Sequence, residues 1–204
     1  MVRLKCFHGT SYENGQSILK EKHFRTSDSD SLRMGEGAYF FCQAGESDAY
    51  PIRCAKELEA YHRSMGKHKK GFAILSCVIE CEDENYLDLY DPESLEYFHQ
   101  MRYMMLDKSM QVDPEFRYRN AAVADTQVFD VIRKIRPLTV IRCPQFFGML
   151  DKEMKFNFDK RERQFPKTYV PNVIMVCADT NKVVVKDIEL VEGRVLGDEY
   201  ERVV

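Results

Sequence analysis

The sequence predicts an α+β fold in one domain. The clearest strand is Gly71 to Cys81, Gly-Phe-Ala-Ile-Leu-Ser-Cys-Val-Ile-Glu-Cys, an apolar run rich in β-forming residues. Pro92 to about Met110 instead places Leu95, Phe98, Met101 and Met105 at helical spacing. Strands and helices do not alternate regularly along the chain, which argues against a doubly wound parallel sheet. At 204 residues the whole chain, 1–204, fits a single domain, since domains run to roughly 50–250 residues.

Taken in order, Arg3 to His8 reads as a strand closed by Gly9 and Thr10. Ser11 offers an N-cap to a helix whose apolar side carries Ile18 and Leu19 and which ends near His23. Thr26 to Ser31 is too polar to bury and reads as a surface loop. Ala38 to Cys42 is the next strand, followed by a helix from Asp48 to Arg63 with Pro51 in its first turn, where proline is best tolerated. Tyr86 to Tyr90 is a short strand. Asn120 to Ile135 fits a helix on its length and alanines, although Gln127 to Ile132 also has strand character. Leu138 to Cys143, Val170 to Cys177 and Lys182 to Leu190 complete the strands, the last two separated by a turn at Asp179-Thr180-Asn181.

Apolar residues make up 44% of the chain and charged residues 31%, a globular rather than disordered or membrane-spanning balance. A net charge of −3 supplies no basic field for non-specific nucleic-acid binding. Lys67-His68-Lys69-Lys70 and the mixed run Lys152 to Arg163 read as solvated connections. The N-terminus has no signal-peptide pattern and the seven cysteines are odd in number and scattered, so a cytoplasmic protein with reduced thiols is expected. Cys77 and Cys81 lack a second pair at zinc-site spacing, and no metal is expected.

Two motifs carry the functional reading. Phe7-His8-Gly9-Thr10 ends the first strand, and Gly35-Glu36-Gly37-Ala38-Tyr39-Phe40-Phe41 opens the second. A glycine beside the histidine lets backbone N–H and C=O groups approach a planar carboxamide, and an aromatic ring supplies a stacking face. Between them lie Ile18-Leu19 and Phe24-Arg25, and downstream Ser47 and Tyr50. In this order and spacing the chain resembles ADP-ribosyltransferases of the poly(ADP-ribose) polymerase-like, His-Tyr-Glu branch, most closely over residues 4–60. A lone histidine at a strand end is usually structural, but these residues fit one site jointly, whereas Tyr61, His62 and His99 have no such company.

The resemblance implies split mixed or antiparallel β-sheets with flanking helices around an NAD cleft. It implies that His8 hydrogen-bonds the nicotinamide-side ribose and that Gly9 grips the carboxamide through its backbone. Thr10 would contribute a hydroxyl near the adenosine-side ribose or the phosphates, and Arg25 would meet the pyrophosphate or adenine. Gly37 belongs to the cofactor-binding motif, Tyr39 and Tyr50 would sandwich the nicotinamide, and Ser47 would add a carboxamide hydrogen bond. NAD would be the substrate, and its glycosidic bond would break through an oxocarbenium-like state.

The family places a glutamate early in a late strand, and here the match fails. Asn172 stands nearest that place, with Gln127 the fallback if Thr126 to Ile132 is that strand. An amide accepts a hydrogen bond but cannot act as a base, which disfavours polymer formation more than a single transfer. The expected activity is therefore mono-ADP-ribosyl transfer to a protein or nucleic-acid acceptor, in the manner of bacterial toxins, effectors or phage-related proteins. The alternative is an inert NAD- or ADP-ribose-binding module. A third reading, an RNA 2′-phosphotransferase, needs additional His and Arg residues that the chain does not display. Ser27 to Met34 and Phe147 to Pro166 are the segments expected to select the acceptor.

Overall fold

A computed structural model describes residues 1–26, 34–43, 47–67, 70–112, 125–145 and 173–195. Its elements are β1 (Val2–Ser11), α1 (Tyr12–Glu21), β2 (Ala38–Cys42), α2 (Ala49–Ser64), β3 (Gly71–Cys81), β4 (Tyr86–Asp88), α3 (Pro92–Val112), α4 (Asp125–Ile135), β5 (Val140–Gln145), β6 (Val173–Ala178) and β7 (Val184–Val195). The strands form one seven-stranded sheet in the order β4-β5-β6-β2-β1-β3-β7. Every neighbouring pair is antiparallel except β4 and β5, which are parallel. The expected α+β class holds, with a single mixed sheet where split sheets were expected.

β3 is almost wholly buried because β1 and β7 pair along both of its edges. β1 runs on through Gly9 and Thr10, which lie opposite Ile74 and Ala73 of β3, so the residues expected to close the strand are inside the sheet. Ser11 then ends the strand and caps α1, its hydroxyl accepting the Asn14 N–H at 3.2 Å. Lys22 stops α1 in the left-handed conformation at φ 56°, and its N–H bonds the Ile18 carbonyl at 2.8 Å.

Period-2 alternation sends side chains of each strand to two faces. Tyr39 and Phe41 join α2, α3 and α4 in one core that includes Ala55, Phe98, Phe129, Ile132, Ile141 and Cys177. Phe40 points into the other, with Cys6, Ile18 of α1, Phe24, Leu75, Cys77 and Val176. The rings of Phe24 and Phe40 meet edge to face at 5.0 Å and 73°, an arrangement that contributes about 0.5–1.5 kcal/mol beyond area burial.

Thr126 to Ile132 is part of α4, with Val128, Phe129 and Ile132 buried at helical spacing, and not a strand. Gln127 is accordingly an exposed helical residue, which removes it from the late-strand position. Asn172, Lys152 to Arg163, most of Ser27 to Met34 and all of Phe147 to Pro166 lie outside the described residues. Among those described, no helix is long and apolar enough to cross a membrane.

Candidate functional site

Antiparallel pairing of β1 with β2 brings the two motifs side by side. Cys6 lies opposite Cys42 and Phe7 opposite Phe41, so the ladder reaches the residue before His8. His8 Nδ1 lies 2.7 Å from the Tyr39 carbonyl oxygen. A carbonyl only accepts, so Nδ1 carries the proton and, in the neutral ring, Nε2 is the acceptor nitrogen. The imidazole is half-buried and rests against Phe24 at 5.2 Å and Phe40 at 5.5 Å. The two aromatic rings and the backbone bond help to orient it.

On this face a cleft of about 230 Å³ opens between β1 and α1. His8, Thr10 and Arg25 line it, together with Asn14, Ser17, Ile18, Glu21, His23 and Phe24. Thr10 is buried. Glu21 accepts the Ser17 hydroxyl at 2.7 Å and lies 4.0 Å from the Arg25 guanidinium. The cleft thus offers donors, acceptors and both signs of charge to a polar ligand. Sequence reasoning missed Asn14, Ser17, Glu21 and His23. A signal was present, because Asn14, Ser17 and Glu21 follow one another at three- and four-residue steps on one side of α1.

Tyr39 points to the opposite face. Its hydroxyl donates to the Gly35 carbonyl at 2.7 Å and accepts the Met34 N–H at 3.0 Å. Burial pushes its phenol well above the ordinary range, with the neighbouring Cys177 adding to the shift, so the proton that bonds Gly35 is retained. Arg133 of α4 clasps the same turn, donating to the Met34 carbonyl at 2.8 Å and reaching the Glu36 carbonyl at 3.4 Å. Gly35 has φ 81°, and a Cβ there would fall 2.5 Å from the Arg133 guanidinium. Gly37 lies against β6, where a Cβ would meet the Cys177 sulfur at 2.5 Å.

The α-carbon of Gly9 also faces this side, under α2. A Cβ built on it would stand 2.9 Å from the Ala55 carbonyl oxygen and 2.9 Å from Cγ of Glu59. Glu59 is a fully buried carboxylate, paired at 3.3 Å with His62 Nδ1. By sequence His62 has no company in the candidate site, and the buried acid it meets beside Gly9 was not anticipated. Ser47 is exposed ahead of α2 and accepts the Ala49 N–H at 3.3 Å. Tyr50, in the first turn of α2, is 45% exposed and stands one turn before Cys54.

The predicted site residues thus fall into two groups. His8, Thr10 and Arg25 converge on the α1 cleft, whereas Gly37, Tyr39, Ser47 and Tyr50 belong to the side of the sheet covered by α2 and α4. Gly9 and the His8–Tyr39 bond join the two through the sheet.

No family model matches the chain, and no solved structure matches it. An uncharacterized protein of Methanocaldococcus jannaschii is 24% identical over 197 residues, covering 91% of this chain and 86% of that protein. The likeness extends well beyond the two motifs.

Proposed function

We propose that the protein is an NAD-dependent mono-ADP-ribosyltransferase, a glycosyltransferase that moves ADP-ribose to a protein or nucleic-acid acceptor and releases nicotinamide. The observation that carries the reading is the register of β1 and β2. It sets the His-Gly-Thr strand against the Gly-x-Gly-x-Tyr-Phe strand, joins them through His8 and the Tyr39 carbonyl, and aims His8 and Thr10 into one polar cleft with Arg25. In this reading the cleft takes the ribose and diphosphate of NAD. His8 Nε2 accepts a ribose hydroxyl, Thr10 contributes its hydroxyl, and the Arg25 guanidinium faces the diphosphate.

A second reading, an NAD- or ADP-ribose-binding module without turnover, is favoured by a specific observation. α2 covers the α-carbon of Gly9, and the Tyr39 hydroxyl is already engaged by Gly35 and Met34. The Tyr39 ring also lies across the sheet from the cleft, so it does not stack on a nicotinamide whose ribose His8 holds.

Labelled NAD separates the readings. The transferase releases nicotinamide or labels a target in cell lysate, and His8→Ala suppresses both. Binding of NAD by calorimetry without turnover, unchanged by lysate, selects the module. Absence of NAD binding at millimolar concentration rejects both readings.

A further inference from the structure

We propose that Cys42 and Cys6 are an oxidation site, a thiol pair that a hydroperoxide converts to a disulfide between β2 and β1. The pairing register sets Cys42 directly opposite Cys6, and Cys6 in turn opposite Cys77 of β3, so three thiols stand in one row across neighbouring strands. Directly opposed residues of antiparallel strands have Cα atoms about 4.5–5.5 Å apart, within the roughly 4.4–6.8 Å that a disulfide spans. The Cys42 and Cys6 side chains enter the same core, so both thiols lie on one face of the sheet. The inference stands apart from the NAD reading.

Two asymmetries assign the roles. Cys42 keeps 6% exposure while Cys6 and Cys77 keep 0% and 1%, so a small oxidant meets Cys42 first. The chemistry of the two thiols also differs. The adjoining Cys6 thiol, aided by the nearby Arg142 guanidinium, holds Cys42 below the ordinary thiol range against the opposing effect of burial. Burial instead pushes Cys6 well above that range. Arg142 is itself fixed beside Cys42, donating to Asp88 at 2.7 Å and to the Gln43 carbonyl at 3.2 Å. Cys77 has burial alone acting on it, which raises its thiol to about 12. The thiolate is the nucleophile, so Cys42 attacks and Cys6 resolves.

In the first step the Cys42 thiolate attacks the terminal oxygen of the hydroperoxide. The O–O bond breaks, a Cys42 sulfenic acid forms, and the alkoxide leaves as an alcohol, or as water from hydrogen peroxide, with the proton Cys42 gave up. In the second step the Cys6 sulfur attacks the Cys42 sulfur and the S–O bond breaks. Hydroxide leaves as water with the Cys6 proton. Two thiols have then lost two hydrogens and two electrons, and the peroxide has been reduced by two electrons. The bond ties β1 and β2 together two residues before His8 and three after Tyr39.

The test treats the reduced full chain with equimolar hydrogen peroxide, blocks remaining thiols under denaturing conditions, and maps unreduced peptides by mass spectrometry. The expected product is lighter by two hydrogens, carries a Cys6–Cys42 linkage, and returns to the starting mass with dithiothreitol. Cys77→Ser should leave that linkage intact and Cys42→Ser should remove it. Unchanged mass, a Cys6–Cys77 or intermolecular linkage, or stable sulfinic acid at Cys42 would each overturn the assignment. The wild-type map decides alone if Cys42→Ser does not fold.

Discussion

The imidazole of His8 is tied at 2.7 Å to the carbonyl oxygen of Tyr39, a residue whose own side chain lies on the other face of the sheet. One motif is thus oriented by the backbone of the other. The bond fixes the tautomer and presents Nε2 as an acceptor. His8→Ala is expected to weaken NAD binding about tenfold, the loss of a single ribose hydrogen bond worth about 1.4 kcal/mol. Calorimetry on the folded variant measures it, and undiminished affinity would move the ligand away from this cleft.

Gly9→Ala probes the contact with α2. The new methyl group would sit 2.9 Å from the Ala55 carbonyl, which belongs to a helix and cannot yield as a side chain does. Overpacking of this kind costs about 1–3 kcal/mol, so the urea midpoint should fall even without NAD. A variant of native stability would mean that α2 is loosely seated over Gly9.

Tyr39→Phe keeps the ring and removes both hydrogen bonds of the hydroxyl. The Gly35 carbonyl and the Met34 N–H lose their partner, a loss of about 1–2 kcal/mol in equilibrium unfolding. Arg133→Ala, which frees the Met34 carbonyl, should act on the same turn. The double variant should cost less than the sum of the single ones, because both hold the same segment. Strict additivity would show that the two clasps are independent.

Alkaline pH should destabilise the fold. Burial pushes the Cys54 and Cys177 thiols from 9.0 to about 11. Between those values the unfolded chain has given up thiol protons that the folded chain retains, so it binds fewer protons and stability falls as pH rises. The contribution is fully present below pH 9 and is lost on passing through about 11. Urea midpoints across this range check it, and Cys54→Ala with Cys177→Ala should flatten the slope. A midpoint constant with pH in the wild type would contradict the burial of these thiols.

The local pattern was enough to delimit β2 at Ala38–Cys42 and β3 at Gly71–Cys81, since each is an apolar run introduced by glycine. β1 ran past its expected end because Gly9, which weakens a strand in isolation, is held with Thr10 by β3. β7 likewise extends to Val195, guided by the length of its partner rather than by its own composition. The motifs could be read from spacing, but their division between two faces depends on the β1–β2 register, a pairing of residues 34 apart in the chain at Phe7 and Phe41. Glu59 gave no local warning of burial, because its surroundings are set by the approach of α2 to Gly9.

β7 forms one edge of the sheet, and its pairing with β3 breaks step twice, between Ile74 and Leu75 and between Ser76 and Val78. Asp187, at φ 52°, sits within the second irregularity. A strand from another molecule needs an uninterrupted ladder of N–H and C=O groups on which to zip. Here it would meet a kinked rim that also carries Lys186, Glu189, Glu192 and Arg194. The longest strand among the described residues is thereby a poor template for edge-to-edge aggregation, even with Val184, Leu190, Val191 and Val195 open to solvent.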